Sequence, residues 1–210
     1  ATEYTAFTIS HTTLAAAADE ADGDNSGLAF RIEAVSTGTL TKGGVAVTAG
    51  STTVSTGESL VWTPAANANG TLAAFSVKAW DGALASATAV QVTVQVAAVN
   101  DGPVVTAGGA LAYVENGLGA VVDATVVISD VDDLQLTGAV VMIDSVVAGD
   151  VLGFANQNGL AGSYNASTGT LTLTGTATLV QYQAALRSVT YASTSDNPTV
   201  NGTRTGRTIT

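Results

Sequence analysis

Seventeen acidic residues face six basic ones in this chain of 210 residues, a formal net charge of -11. If every base paired with an acid, that excess would still sit on unpaired carboxylates. The acids are clustered: Asp19 to Asp24, Asn100-Asp101 and Asp130 to Asp133, with single acids at Glu3, Asp81 and Glu115. Two carboxylates ~5 Å apart repel by about 3 kcal/mol at an effective dielectric of 20. Several gathered together would consume much of a domain's stability, and a divalent cation reverses the sign. Calcium suits such a set, because it takes six to eight oxygens from carboxylates, Asn side chains and backbone carbonyls in flexible geometry, whereas Mg2+ demands a stricter octahedron. Each cluster also has a plainer reading. Asp81-Gly82 alone is a turn dipeptide. Asp22-Gly23-Asp24-Asn25 and Asp130-Val131-Asp132-Asp133 are each, alone, a solvated acidic loop. Their recurrence at a domain-sized interval favours calcium.

Other chemistries find little support. The acidic balance excludes a nucleic-acid binder that relies on neutralising phosphates. The absence of cysteine removes disulfides, thiolate metal sites and cysteine nucleophiles. A Ser-His-Asp arrangement or a zinc site would have to use the one histidine, His11, which sits among threonines and reads as a surface residue between strand and turn. There is no Gly-Lys-Ser/Thr phosphate loop. Paired carboxylates can hydrolyse glycosides, but with aromatics at 5% the usual sugar-stacking residues are scarce. No apolar run approaches the ~20 residues needed to cross a bilayer, so membrane insertion is not expected.

Strands must position these acids. Leu28 to Val35 alternates apolar and polar residues, as does Leu72 to Trp80, with Phe75, Val77 and Ala79 on one face. In Val90-Gln91-Val92-Thr93-Val94-Gln95-Val96 every valine lies on one side. Such runs are half-buried strands. Lys42-Gly43-Gly44, Asn69-Gly70 and Asp81-Gly82 mark the turns between them. Trp80 reads as a core residue by its place in a strand. The Thr170 to Thr178 ladder carries Leu171 and Leu173 on its other face, so a half-buried strand explains it better than an ice-binding array. Two segments are helical: Thr13 to Glu20, and Thr178 to about Arg187. The second has capping-box spacing from Thr178 to Gln181 and apolar residues at Leu179, Tyr182 and Leu186.

Asn100-Asp101-Gly102-Pro103 is the best boundary, dividing a domain at 1–99 from one at 103–210 through a linker at 100–102. Each half carries an early Glu, then Asp-x-Asp leading into a strand, then a late Asn-Gly, a weak internal repetition. Aligned this way, the second domain lacks its last strands, and alternation running into Thr210 reads as an excerpt of a longer array.

Asp22-Gly23-Asp24-Asn25-Ser26-Gly27-Leu28-Ala29-Phe30 resembles the cadherin Asp-x-Asp loop and its following strand. Val114-Glu115-Asn116 resembles the cadherin Glu-Asn, Ala79-Trp80-Asp81-Gly82 its late-domain Asp, and Val99-Asn100-Asp101-Gly102-Pro103 its Asn-Asp linker. The Ala/Thr/Val/Gly-rich texture and Gln181 to Val189 are similar to cadherin-like repeats of very large bacterial adhesins, many of them exported by type I systems. The resemblance implies an all-β fold of two tandem Greek-key β-sandwich domains, cadherin- or immunoglobulin-like, with a short helix near 178–187. It implies Ca2+ at the junction, drawn from Glu3, Asp81, Asn100, Asp101, Asp130 and Asp132. Asp22 and Asp24 would serve a preceding repeat and Glu115 a following one. The function implied is that of a non-enzymatic extracellular module on a bacterial cell surface, whose calcium turns a hinge into a strut. Its partners would be neighbouring repeats of the same polypeptide. Two other readings stand beside it: a calcium-dependent module binding host or matrix glycans or proteins, and a fibre subunit that self-associates by strand complementation.

Overall fold

Strand periodicity dominates the computed structural model, which describes residues 1–17 and 27–210. Asp22 and Asp24 lie outside the described residues, as does the end of the helix expected over Thr13 to Glu20. The chain divides into two compact units, Ala1–Asn100 and Asp101–Thr210. Among the described residues no helix is long and apolar enough to cross a membrane.

The first unit runs β1 (Phe7–Ser10), α1 (His11–Ala17), β2 (Ala29–Val35), β3 (Thr39–Lys42), β4 (Val45–Ala46), β5 (Thr53–Val54), β6 (Ser59–Thr63), β7 (Gly70–Trp80) and β8 (Val90–Val96). They form two antiparallel sheets, β1-β6-β3-β4 and β5-β2-β7-β8. Trp62, Leu60, Ile32, Val54, Phe75 and Val96 are almost completely buried in one cluster. Burying each such side chain contributes about 1.5–3 kcal/mol. Trp62 donates its indole N–H to the Thr37 carbonyl at 2.8 Å. The adjoining turn needs glycine: Gly38 has φ +67, and a Cβ there would run into the Thr63 carbonyl and the Trp62 ring.

Register decides which tryptophan is core. Phe75, Val77 and Ala79 face inward on β7, so parity turns Trp80 to the other face. The expectation for Trp80 is therefore corrected: it is half-buried, with the Arg31 guanidinium 4.7 Å over its ring. His11 also differs from expectation. It opens α1, is half-buried, bonds the Leu28 carbonyl through Nε2 at 2.9 Å and packs on Phe30.

The second unit runs β9 (Val104–Thr106), β10 (Ala120–Val121), β11 (Val127–Ser129), β12 (Gln135–Asp144), β13 (Asp150–Gly153), β14 (Ala161–Asn165), β15 (Thr170–Thr178), α2 (Leu179–Leu186), β16 (Thr190–Ser193) and β17 (Thr208–Ile209). Its sheets are β14-β15-β12-β17, β10-β16-β13 and the pair β11-β9. Leu171 and Leu173 on β15 are buried while the intervening threonines face outward. The capping box holds: Thr178 Oγ1 accepts the Gln181 N–H, and Gln181 Oε1 accepts the Thr178 N–H at 2.9 Å. Tyr182 and Ala185 bury the inner face of α2.

Candidate metal centre

The best-placed cluster of acids lies in the second unit. β9 and β11 pair antiparallel with Ser129 opposite Val104. That register brings the residues after β11, Asp130 to Asp133, alongside those before β9, Asp101 to Pro103. Helix α2 holds β11 from its other side. Gln183 Oε1 accepts the Ile128 N–H at 3.1 Å, and Arg187 Nε donates to the Val126 carbonyl at 2.7 Å. The conspicuous Gln181 to Arg187 segment thus anchors the strand from which the acidic loop springs.

Within that loop, Asp130 Oδ1 accepts the N–H groups of Asp132 and Asp133, each at 3.0 Å. Asp132 Oδ2 accepts the Asp101 N–H at 2.7 Å. The second oxygen of Asp130, Oδ2, is buried and has no hydrogen-bond partner among the described residues. An anionic oxygen removed from water without a donor is costly. Among the described residues no protein donor engages this oxygen of the half-buried Asp130, and Asp132 two residues on is exposed. Among the described residues, no three Asp, Glu or His side chains gather into a metal cage by themselves.

Of the other candidate ligands, Glu3 and Asp81 accept hydrogen bonds within the first unit. Glu3 is 2% exposed in the first unit. Its Oε1 accepts the Asn69 amide at 2.7 Å and its Oε2 the Val99 N–H at 3.1 Å, while its own N–H bonds the Ala97 carbonyl. Asp81 is exposed and closes its turn, with Oδ1 accepting the N–H groups of Ala83 and Leu84 at 2.7 and 2.6 Å. Asn100 is exposed at the end of the first unit, and Glu115 is exposed in a turn after Val114.

Two buried acids carry more of the architecture than any of these. Asp123 accepts four donors: the N–H groups of Gly108 and Gly109 at 3.0 and 2.9 Å on Oδ2, and the N–H and hydroxyl of Thr125 at 2.7 and 2.6 Å on Oδ1. The Thr125 hydroxyl and then these backbone donors hold its carboxyl well below the usual range. Gly109 cannot carry a side chain there, since a Cβ would lie 2.6 Å from Asp123 Cγ.

Asp150 is 2% exposed and faces Arg207, which donates from Nε at 2.6 Å and from Nη2 at 3.3 Å. The Tyr191 hydroxyl and the Val147 N–H also donate to it, at 2.7 and 2.9 Å. Burial pushes the Asp150 carboxyl up, but these donors outweigh it and leave it lowered. Burial, then the bond to Asp150, lifts Tyr191 to about 12. The Asp150 bond likewise raises Arg207. No short motif marks these acids. The signal available was modest: a Gly-Gly pair at 108–109, fourteen residues before a lone Asp123, and one of only six basic residues near the C-terminus.

The chain matches no protein-family model, no curated protein and no solved structure.

Proposed function

We propose that this chain is a pair of calcium-binding β-modules of an extracellular structural or adhesive array, with Ca2+ held at the Asp130–Asp133 loop by Asp130 and Asp132. The observation that carries the reading is the buried Oδ2 of Asp130, which has no donor among the described residues, in the loop that also holds Asp132. A divalent cation would supply the missing positive partner. Calcium fits because it accepts few carboxylates and completes its shell with backbone carbonyls and water. Asp132 already grips the Asp101 backbone, so an ion fixing Asp130 and Asp132 also fixes the segment leading into β9. Stiffening at that point is what a spacer module requires. The module acts mechanically rather than catalytically, on a cell surface, in line with neighbouring repeats.

Calorimetric titration of the chelator-stripped protein with CaCl2 tests this. Saturable binding is expected for the wild type, and removal of one ligand charge in Asp130→Asn should weaken it by about tenfold or more. A wild type that takes up no calcium at millimolar concentration, or an Asp130→Asn protein that binds as the wild type does, refutes the assignment.

A further inference from the structure

We propose that Asn165, at the β14–β15 hairpin, is an acceptor for N-linked sugar in the folded protein. Three Asn-x-Ser/Thr triplets without a central proline occur in the chain: Asn69-Gly70-Thr71, Asn165-Ala166-Ser167 and Asn201-Gly202-Thr203. Such a triplet is the acceptor pattern for glycosylation where it lies on the surface. Transfer needs two groups at once: the amide nitrogen that will carry the sugar, and the hydroxyl two residues on, by which a transferase reads the triplet. As sequence the three are alike, and the fold tells them apart.

Asn165 ends β14, opposite Thr170 of β15, and residues 166–169 close the hairpin between them. Asn165, Ala166 and Ser167 are all exposed. Asn165 Oδ1 accepts the Ser167 N–H at 3.0 Å, the self-bonding turn to which asparagine is suited. That bond draws the carbonyl end of the amide towards the loop backbone and points its Nδ2 end away. Neither Nδ2 nor the Ser167 hydroxyl has a hydrogen-bond partner among the described residues. Both reacting groups are therefore presented together and uncommitted.

The other two triplets are already engaged. Asn69 Nδ2 donates to Glu3 Oε1 at 2.7 Å, and Glu3 is buried. Thr71 is paired with Gln95 in the β7–β8 ladder, and its hydroxyl donates to Gln95 Oε1 at 2.6 Å. Asn201 donates its N–H to Asn197 Oδ1 at 2.8 Å and accepts Asn197 Nδ2 at 3.1 Å, while the Thr203 hydroxyl donates to the Val200 carbonyl at 2.6 Å. In the transfer, Asn165 Nδ2 attacks C1 of a sugar activated as its nucleoside diphosphate. The C1–N bond forms as the C1–O bond to the diphosphate breaks. The nucleoside diphosphate leaves with that electron pair, and the Nδ2 proton passes to a base of the transferase. The hairpin lies at the Met142 end of β12 and the acidic loop at its Gln135 end, roughly 20 Å apart along the strand. The site uses no acid of the calcium reading and stands without it.

The folded chain, incubated with UDP-glucose and an N-glucosyltransferase specific for Asn-x-Ser/Thr, tests the proposal, with intact mass and peptide mapping as the readout. Short peptides carrying each triplet supply the rate in the absence of a fold. Asn165 in the folded chain should keep most of its peptide's rate. Asn69 and Asn201 should fall about tenfold or more below theirs, because their hydrogen bonds must first be broken. N165Q should remove the sugar from the folded chain, and so should S167A, which keeps the backbone N–H of the turn and loses only the hydroxyl. A folded wild type that takes no glucose at Asn165, one that takes it at Asn69 or Asn201 as readily as at Asn165, or an S167A protein modified like the wild type overturns it.

Discussion

In the first unit Glu3 lies 2% exposed and receives two neutral donors, the Asn69 amide and the Val99 N–H. In the second, Asp150 is buried to the same degree but receives a guanidinium, a phenol and one backbone N–H. Both acids tie a distant stretch of chain to the sheets: Glu3 joins the first residues to the end of β8, and Asp150 joins β13 to Arg207 just before β17. The partners make the difference. Neutral donors leave Glu3 replaceable at the cost of hydrogen bonds, whereas a buried charge facing a charge cannot lose its partner without leaving an uncompensated ion. With few bases to spare, several of the described acids take backbone N–H groups instead. Asp123 and Asp130 share with Glu3 the lack of a basic partner among the described residues, whereas Asp150 faces Arg207, as the more exposed Glu33 and Glu58 face Arg31 and Lys42.

The largest effect is expected from Arg207→Ala, which strands Asp150 and should destabilise the second unit by about 3–5 kcal/mol. The spectroscopy separates the units, because both tryptophans, Trp62 and Trp80, lie in the first and four of the five tyrosines lie in the second. Thermal unfolding followed by tyrosine near-ultraviolet dichroism should shift, while the tryptophan fluorescence transition stays in place. Equal shifts of both would erase the contrast.

Acid acts on the same pair more gently. Asp150 and Asp123 have lower pKa values folded than unfolded. The stability they contribute is complete above about 3.9, the ordinary aspartate value, and declines as the pH falls through their lower folded values. The second unit's melting temperature should therefore drop as the pH is taken below about 4. In Arg207→Ala the sign reverses for Asp150, because burial then favours its neutral form and the deficit should shrink on acidification. A deficit that is constant across that range would show that the ion pair is not what Arg207 supplies.

The smallest effect is expected from Glu3→Ala, about 1–3 kcal/mol for two buried hydrogen bonds, confined to the tryptophan transition. A loss as large as that of Arg207→Ala would make the two pins equivalent.

The strands were legible wherever one face is buried and the alternation is unbroken, as in Val90–Val96, and α2 was legible because its cap lies within four residues of sequence, Thr178 to Gln181. Trp80 was misread although its own neighbours held the answer: with Phe75, Val77 and Ala79 inward, the pleat sends the next residue outward. The candidate metal loop was half legible. Asp130-Val131-Asp132-Asp133 stands out locally, but the bond from Asp101 depends on the β9–β11 register. Asp123 and Asp150 were not legible, because their donors come from segments up to 57 residues away and neither side of the partnership is unusual by itself.

Arg207 does more than neutralise a carboxylate. Its Nη2 also grips the Pro198 carbonyl at 2.6 Å, so one planar group laces together β13, the 198–206 segment and the lead into β17. Tension applied lengthwise at Thr210 would reach this rivet once the pairing of Thr208, Ile209 and Thr210 with β12 gave way. Arg207 would then be the next tie to carry the load, ahead of the sheets behind it.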